Sequence, residues 1–226
     1  MVCITVPMTA DATEEPQGRD ATPWDTRAAP STTSPVPRIA AVVLAAGAGT
    51  RMGQPKGLVR TATGEPWLVR ATSLATDAGC DPVFAVVGAH APEVSALVPP
   101  ESAAQVVVAT EWAVGMAESL RAGLASAVAS DATACLILLV DMPDLPSAVL
   151  DRILARGVTA DTVTQAVYKG RPGHPVLVGR AHWAAMVRDL AGDRGARAYL
   201  AAHGVDEVEC SDLFDGHDID RPGSVT

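Results

Sequence analysis

Aromatic side chains make up only 4% of this 226-residue chain, so Ala, Val and Leu must build most of any core. Side chains that small favour close packing of helices on a sheet. No lysine-rich block is present, and the formal net charge is −9. That balance excludes a protein that grips nucleic acid through a broad basic face. No apolar segment reaches the roughly 18 to 20 residues that span a bilayer, so no membrane partner is expected. The cysteines Cys3, Cys80, Cys135 and Cys210 form no C-x-x-C pair, and their wide separation argues against a zinc site. Reduced thiols in a cytoplasmic protein are expected, with Cys135 as a small buried hydrophobe. The opening residues carry no basic region ahead of their short apolar stretch, so no signal peptide is expected.

What is present suffices for one domain, since 48% of the residues are hydrophobic. Residues 1–37 are rich in Thr, Pro, Asp and Glu and lack an apolar period, which predicts a disordered tail ahead of a domain at 38–226. From Ile39 onward, short apolar runs alternate with helix-like stretches. Strands are expected at Ile39–Leu44, Val83–Val87, Gln105–Ala109, Cys135–Val140, Thr162–Val167 and His174–Val178. Helices are expected at Trp67–Ala78, Pro92–Leu97, Gly115–Ala129, Ser147–Arg156, Arg180–Leu190 and Gly195–His203. In the third, Met116, Leu120, Leu124 and Val128 recur every four residues and predict one apolar stripe. Near-continuous apolar strands alternating with helices predict an α/β fold: a single, doubly wound, mostly parallel sheet. Ligands in such sheets sit beyond the carboxyl ends of the strands.

The segment at that end of the first strand is the most informative: Leu44-Ala45-Ala46-Gly47-Ala48-Gly49-Thr50-Arg51-Met52-Gly53-Gln54-Pro55-Lys56. Its glycines allow the main chain to approach an anion and turn N–H groups toward it. Arg51 can fork onto phosphate oxygens, and Lys56 supplies a compact point charge. An acidic chain that binds polyphosphate needs such a local patch, to which Arg60 also belongs, together with a metal. The spacing is neither that of a P-loop nor that of a dinucleotide fingerprint. The alternative is an ordinary glycine-rich turn.

Further candidates lie downstream. Asp141, in Asp141-Met142-Pro143-Asp144, closes the strongest apolar run and is suited to Mg²⁺ shared with phosphate oxygens, or to an N-cap. Asp144 suits the cap better. Asp218 and Asp220 share a side if Asp218-Ile219-Asp220 is extended, so one of them can join Asp141 at a metal; otherwise they form a solvated acidic turn. His174, in Gly170-Arg171-Pro172-Gly173-His174-Pro175, either faces a pocket or is a hydrogen-bonded structural residue. Gly192-Asp193-Arg194-Gly195-Ala196-Arg197 is either a helix start capped by Asp193 or a second anion contact through Arg194 and Arg197. Trp112 precedes Gly115 and Ser119 at a helix start, where an indole can stack on a flat ring or pack in a loop.

The loop LAAGAGTRMGQPK, the later DMP, GHPVL, GDRGAR and the closing DID together resemble the nucleotidyltransferases that attach a nucleotide to molybdopterin. The resemblance spans about residues 39 to 222 and implies a Rossmann-like nucleotidyltransferase fold. Ala45-Ala46-Gly47 and Pro55-Lys56 are similar to the CTP-using, molybdenum cofactor cytidylyltransferase branch. The guanylyltransferase branch tends to carry LAGG and an Asp-Lys pair. Relatives often have Asn ahead of the tryptophan–glycine segment, where this chain has Ala109-Thr110-Glu111.

The resemblance implies nucleotide binding by Leu44, Ala45, Ala46, Gly47, Gly49, Thr50, Arg51, Lys56 and Gly88. It implies catalysis by Arg51, Lys56 and Asp141, and acceptor contacts from Trp112, Gly115, Ser119 and His174. It also implies Mg²⁺ on Asp141 and Asp220. The substrates implied are CTP and molybdopterin, with a molybdoenzyme as recipient of the product. The alternatives are a GTP-using enzyme, another small-molecule NTP transferase, and a non-catalytic molybdopterin carrier. All the transferase readings require Asp141 and Lys56 to meet.

Overall fold

The computed structural model describes residues 36–221. The tail expected at 1–37 therefore falls almost wholly outside the described residues. The described residues belong to one compact unit.

Its centre is a seven-stranded sheet: β1 (Ile39–Ala45), β2 (Val83–Val87), β3 (Ala104–Val108), β4 (Ala134–Leu139), β5 (Val163–Tyr168), β6 (Arg171–Gly179) and β7 (Asp206–Glu209). The spatial order is β3-β2-β1-β4-β6-β5-β7. Pairs within β3-β2-β1-β4 are parallel, as is β5 with β7, whereas β6 runs antiparallel to both β4 and β5. The sheet is thus mixed, with its reversal confined to one strand. The reason lies in the chain between β5 and β6: Lys169 and Gly170 alone connect them, with φ of 54° and 70°. A two-residue link with positive φ at both positions makes a tight hairpin and leaves no room for a crossover.

Helices cover both faces: α1 (Trp67–Asp77), α2 (Ala91–Ser95), α3 (Met116–Val128), α4 (Ser147–Leu154), α5 (Arg180–Asp189) and α6 (Arg197–Ala202). Alternation along β1 divides the core. Ala41, Val43 and Ala45 join Trp67, Leu68, Val94, Leu150 and Ile153 on the face of α1, α2 and α4. Ala40, Val42, Leu44 and Ala46 join Leu120, Leu124, Trp183 and Met186 on the face of α3 and α5. Small residues let the layers approach. A methyl group on Gly123 of α3 would stand 2.6 Å from Val42 Cγ1.

The four-residue stripe expected on α3 is only half buried. Leu120 and Leu124 face the core, but Met116 is 42% and Val128 51% exposed. Steps of four overshoot a 3.6-residue turn by roughly 40° each, so the ends of the stripe rotate off the buried face. Ala117, Gly123 and Ala127 take their places against the sheet. Asp144 does not cap α4 either. The N-cap is Pro146, without a side-chain cap bond, and Asp144 is exposed. Cys80, Cys135 and Cys210 are buried free thiols. Burial pushes the Cys80 thiol up to about 12 and that of Cys135 higher still. No helix among the described residues is long and apolar enough to cross a membrane.

Candidate active site

The connections from β1 lead toward β2 on one side while β4 lies on the other, so a crevice opens where their carboxyl ends diverge. The glycine-rich loop leaves β1 at this point. Gly49 has φ of +60°, and a side chain there would run into the Gln54 carbonyl. The Met52 N–H donates to the Gly49 carbonyl at 2.8 Å and closes the turn. Met52 and Pro55 are buried and anchor the loop, whereas Thr50 and Arg51 are exposed at its tip. A short 3-10 turn, Lys56–Leu58, follows. Gly57 lies so close to Val94 that a Cβ would stand 3.0 Å from its Cγ1. The backbone thus hugs the core while the Lys56 side chain reaches back over the sheet.

There it meets two carboxylates. The Lys56 ammonium donates to Asp141 Oδ2 at 2.7 Å and to Asp220 Oδ1 at 2.5 Å. Asp141 follows β4, and the Val140 N–H donates to the Leu44 carbonyl at 3.2 Å, tying that strand's end to β1. Asp220 arrives from the far end of the chain. Ile219 is 1% exposed in the core, and its N–H donates to the Asp141 carbonyl at 2.9 Å. With Ile219 turned inward, the flanking Asp218 and Asp220 turn toward the site. Arg51 closes the strap through Asp220 Oδ2 at 3.1 Å.

The electrostatics follow from this pairing. Burial by itself lowers the Lys56 pKa, but the hydrogen bonds it donates to Asp141 and Asp220, with the charges of those carboxylates, outweigh it and raise the value. The hydrogen bond from Lys56 holds the Asp220 carboxyl below its usual range, against some opposing desolvation. One oxygen from each of Asp141, Asp218 and Asp220 lies within 4.8 Å of the others. Asp141 Oδ1 is buried with no hydrogen-bond partner among the described residues. An all-oxygen set with an unsatisfied buried acceptor fits a hard divalent cation.

Two cavities flank these acids. The smaller, about 320 Å³, is lined by Leu44, Ala45, Ala46, Gly47 and Gly49, with Lys56 and Asp141 at one end. Trp112, Gly115 and Ser119 also line it. Gly88 packs against Trp112 instead: a Cβ there would stand 2.5 Å from Trp112 Cγ and 2.8 Å from the Ala46 carbonyl oxygen. Trp112 thus packs on Gly88 as a loop tryptophan does and also borders the cavity. Gly115, with φ of 143°, allows Gly192 and Asp193 to close over the start of α3.

The larger cavity, about 940 Å³, shares Leu44, Met116, Leu139 and Asp193 with the smaller. His174 lines it, with Nδ1 3.4 Å from the Ile137 carbonyl oxygen. Burial lowers the His174 pKa, opposed by that carbonyl and by the Asp141 charge, so the imidazole is neutral at pH 7. Arg171, Arg194 and Arg197 also line this cavity. Asp193 lies in a 3-10 turn, Gly192–Arg194, and does not cap α6, whose N-cap is Ala196. Arg60 is not part of the site. It donates to the Gly64 carbonyl at 2.7 Å across its own turn.

Sequence reasoning passed over Asp193, which borders both cavities, because helix capping accounted for it equally well. It counted only one of Asp218 and Asp220 toward the metal. Their i, i+2 spacing around a single apolar residue was the available signal for both.

The MobA-like NTP transferase domain matches residues 41–208. Nicotine blue oxidoreductase of Paenarthrobacter nicotinovorans is 33% identical over 195 residues, covering 82% of this chain and 93% of that protein. The crystal structure of Rv0371c from Mycobacterium tuberculosis H37Rv is 30% identical with a TM-score of 0.67, covering 82% of this chain and 93% of that one. The same protein is described in complex with manganese, at 30% identity and a TM-score of 0.61, covering 76% and 88%. With a family match that runs from β1 into β7 and takes in the glycine loop and Asp141, the chain belongs to the MobA-like NTP transferase domain family.

Proposed function

We propose that this transferase moves a cytidylyl group from CTP to the terminal phosphate of molybdopterin. An oxygen of the acceptor phosphate attacks the α-phosphorus in line, the bond from that phosphorus to the bridging oxygen breaks, and pyrophosphate leaves with the electron pair. The acceptor is already an anion, so no strong general base is required, and catalysis reduces to positioning and charge neutralisation. The observation that carries the reading is the meeting of Lys56, Asp141 and Asp220 at the rim of the glycine loop.

The smaller cavity suits the nucleotide. Main-chain groups from Ala46 to Gly49 lie along the path of its phosphates, and Arg51 and Lys56 offset charge on the departing pyrophosphate. Asp141, with Asp220 and Asp218, would hold Mg²⁺, which supplies charge neutralisation at the phosphates when bound. The larger cavity suits the acceptor, with neutral His174 as a hydrogen-bonding group and three arginines for anionic parts. CTP rather than GTP is favoured by Ala45-Ala46-Gly47 and Pro55-Lys56. The test is mass spectrometry of the product formed from molybdopterin, Mg²⁺ and the four NTPs together. A cytosine dinucleotide with pyrophosphate is expected; a guanine dinucleotide, or no product, would contradict the reading.

The 33% identical relative supports a second reading, an oxidoreductase acting on nicotine blue. Lys56, Asp141 and Asp220 have no evident part in electron transfer, which ranks it below the first. Reduction of nicotine blue by an added electron donor, followed by its absorbance without any NTP, together with no pyrophosphate release, would reverse that order.

A further inference from the structure

Lys56 occupies two of the three carboxylates that a divalent cation would use. Its Nζ bridges Asp141 and Asp220 at 2.7 and 2.5 Å, inside a group of three acids whose oxygens lie within 4.8 Å of one another. Three carboxylates at that separation repel strongly, and the side chains of Lys56 and Asp141 are only 19% and 17% exposed, so salt screens the pair little. A divalent ion drawn to the same carboxylates would confront the ammonium at close range. One cation must leave before the other can settle.

The ammonium can leave at low cost only toward another anion. The glycine loop beside it presents backbone rather than carboxylates, so a triphosphate entering the smaller cavity would bring that anion with it.

We propose that Lys56 is the resident counter-ion of the Asp141, Asp218 and Asp220 cluster, and that it yields this place to the divalent cation as it moves onto the phosphates of an incoming nucleotide. The free protein then binds the cation weakly, and cation and nucleotide enter as a pair. The inference rests on these acids being the metal set of the proposed transferase, but not on the acceptor or the base.

The test is a Mn²⁺ titration of the full chain, followed by the electron paramagnetic resonance signal of free Mn²⁺, with no nucleotide present. Lys56→Met nearly keeps the length of the side chain and removes its charge. It should bind Mn²⁺ about tenfold or more tightly than the unaltered chain, within the usual range of coupling between sites. Lys56→Arg keeps the charge and should bind as weakly as the unaltered chain. Equal Mn²⁺ affinity in Lys56→Met and the unaltered chain would overturn the proposal. If Lys56→Met is unfolded without metal, Mn²⁺ should restore its circular dichroism through linked binding; failure to restore it counts against the exchange. A chain that makes no nucleotide adduct of molybdopterin, yet binds Mn²⁺ more tightly as Lys56→Met, would lose its acceptor assignment and keep this inference.

Discussion

The two sides of the sheet are built on different terms. On the side of β3, β2, β1 and β4, the parallel strands β1, β2 and β4 are near-continuous apolar runs covered by helices on both faces. That side holds the glycine loop and Asp141 at its carboxyl end. On the other side, β6 reverses direction, β7 buries only Val208 of its four residues, and the rest of the site arrives on turns and a terminal strap. The first side is a platform of buried strands that carries the proposed phosphate site. The second brings His174, Arg171, Arg194 and Arg197, which line the larger cavity, and Asp218 and Asp220, which join Asp141 in one acidic group. Buried regular strands on the platform and exposed turns and edges beside it are a division in which loops supply much of the candidate site.

The sharpest way to break this division is to remove the platform's charges. Asp141→Ala and Lys56→Ala should each lower pyrophosphate release on the order of 10²-fold or more while the circular dichroism stays native. Wild-type-like turnover in either variant would refute their roles. Next comes the strap. Ile219→Ala removes a buried side chain and should cost about 2 kcal/mol or more in urea unfolding, with weaker Mn²⁺ binding because Asp220 loses its anchor. Unchanged Mn²⁺ affinity would show that the strap is not what positions Asp220.

A subtler change sharpens the contrast between the cavities. Arg194 and Arg197 have no salt-bridge partner among the described residues. Their double change to Ala should raise the acceptor KM by about tenfold, the worth of lost charge-assisted contacts, and leave the KM for CTP unaltered. A raised KM for CTP instead would place the nucleotide in the larger cavity. The smallest effect belongs to Glu209 on the edge strand. The Ser211 hydroxyl and N–H, with the Lys169 and Gly170 amides, hold its carboxyl at about 2, against an ordinary 4.5. A folded value below the unfolded one stabilises above the unfolded pKa and is lost as pH falls through the folded one. Glu209→Gln should therefore lower the Tm slightly at pH 7, and the difference should close between pH 4.5 and 2. A gap that persists at pH 2 would exclude titration as its cause.

The same division decided what could be read from the amino-acid sequence. Strands β1, β2 and β4 were legible because strands buried on both faces are written as unbroken apolar runs. Ile39 to Leu44 led straight to the loop, and Cys135 to Val140 led to Asp141. The strand β7 was missed because Asp206, Glu207 and Glu209 face outward and leave one buried valine as the signal. The antiparallel course of β6 was not drawn out, although the strands expected at Thr162–Val167 and His174–Val178 left too few residues between them for a crossover helix. Arg60 looked like part of the phosphate patch because spacing places charges along a chain but not across it. Only the turn that returns its guanidinium to Gly64 removes it. The approach of Asp220 to Lys56, 164 residues earlier, is a tertiary fact that no local pattern carries.

The claim on which this account turns is that Lys56, Asp141 and Asp220 form one phosphate and cation site. It is tested most directly by a crystal structure with Mn²⁺ and a non-hydrolysable CTP analogue, the metal located by anomalous scattering. The account predicts Mn²⁺ on Asp141 and Asp220, the triphosphate along Ala46 to Gly49, and the Lys56 ammonium moved from the carboxylates to the phosphates. A nucleotide seated elsewhere, or Mn²⁺ bound away from Asp141, would contradict it.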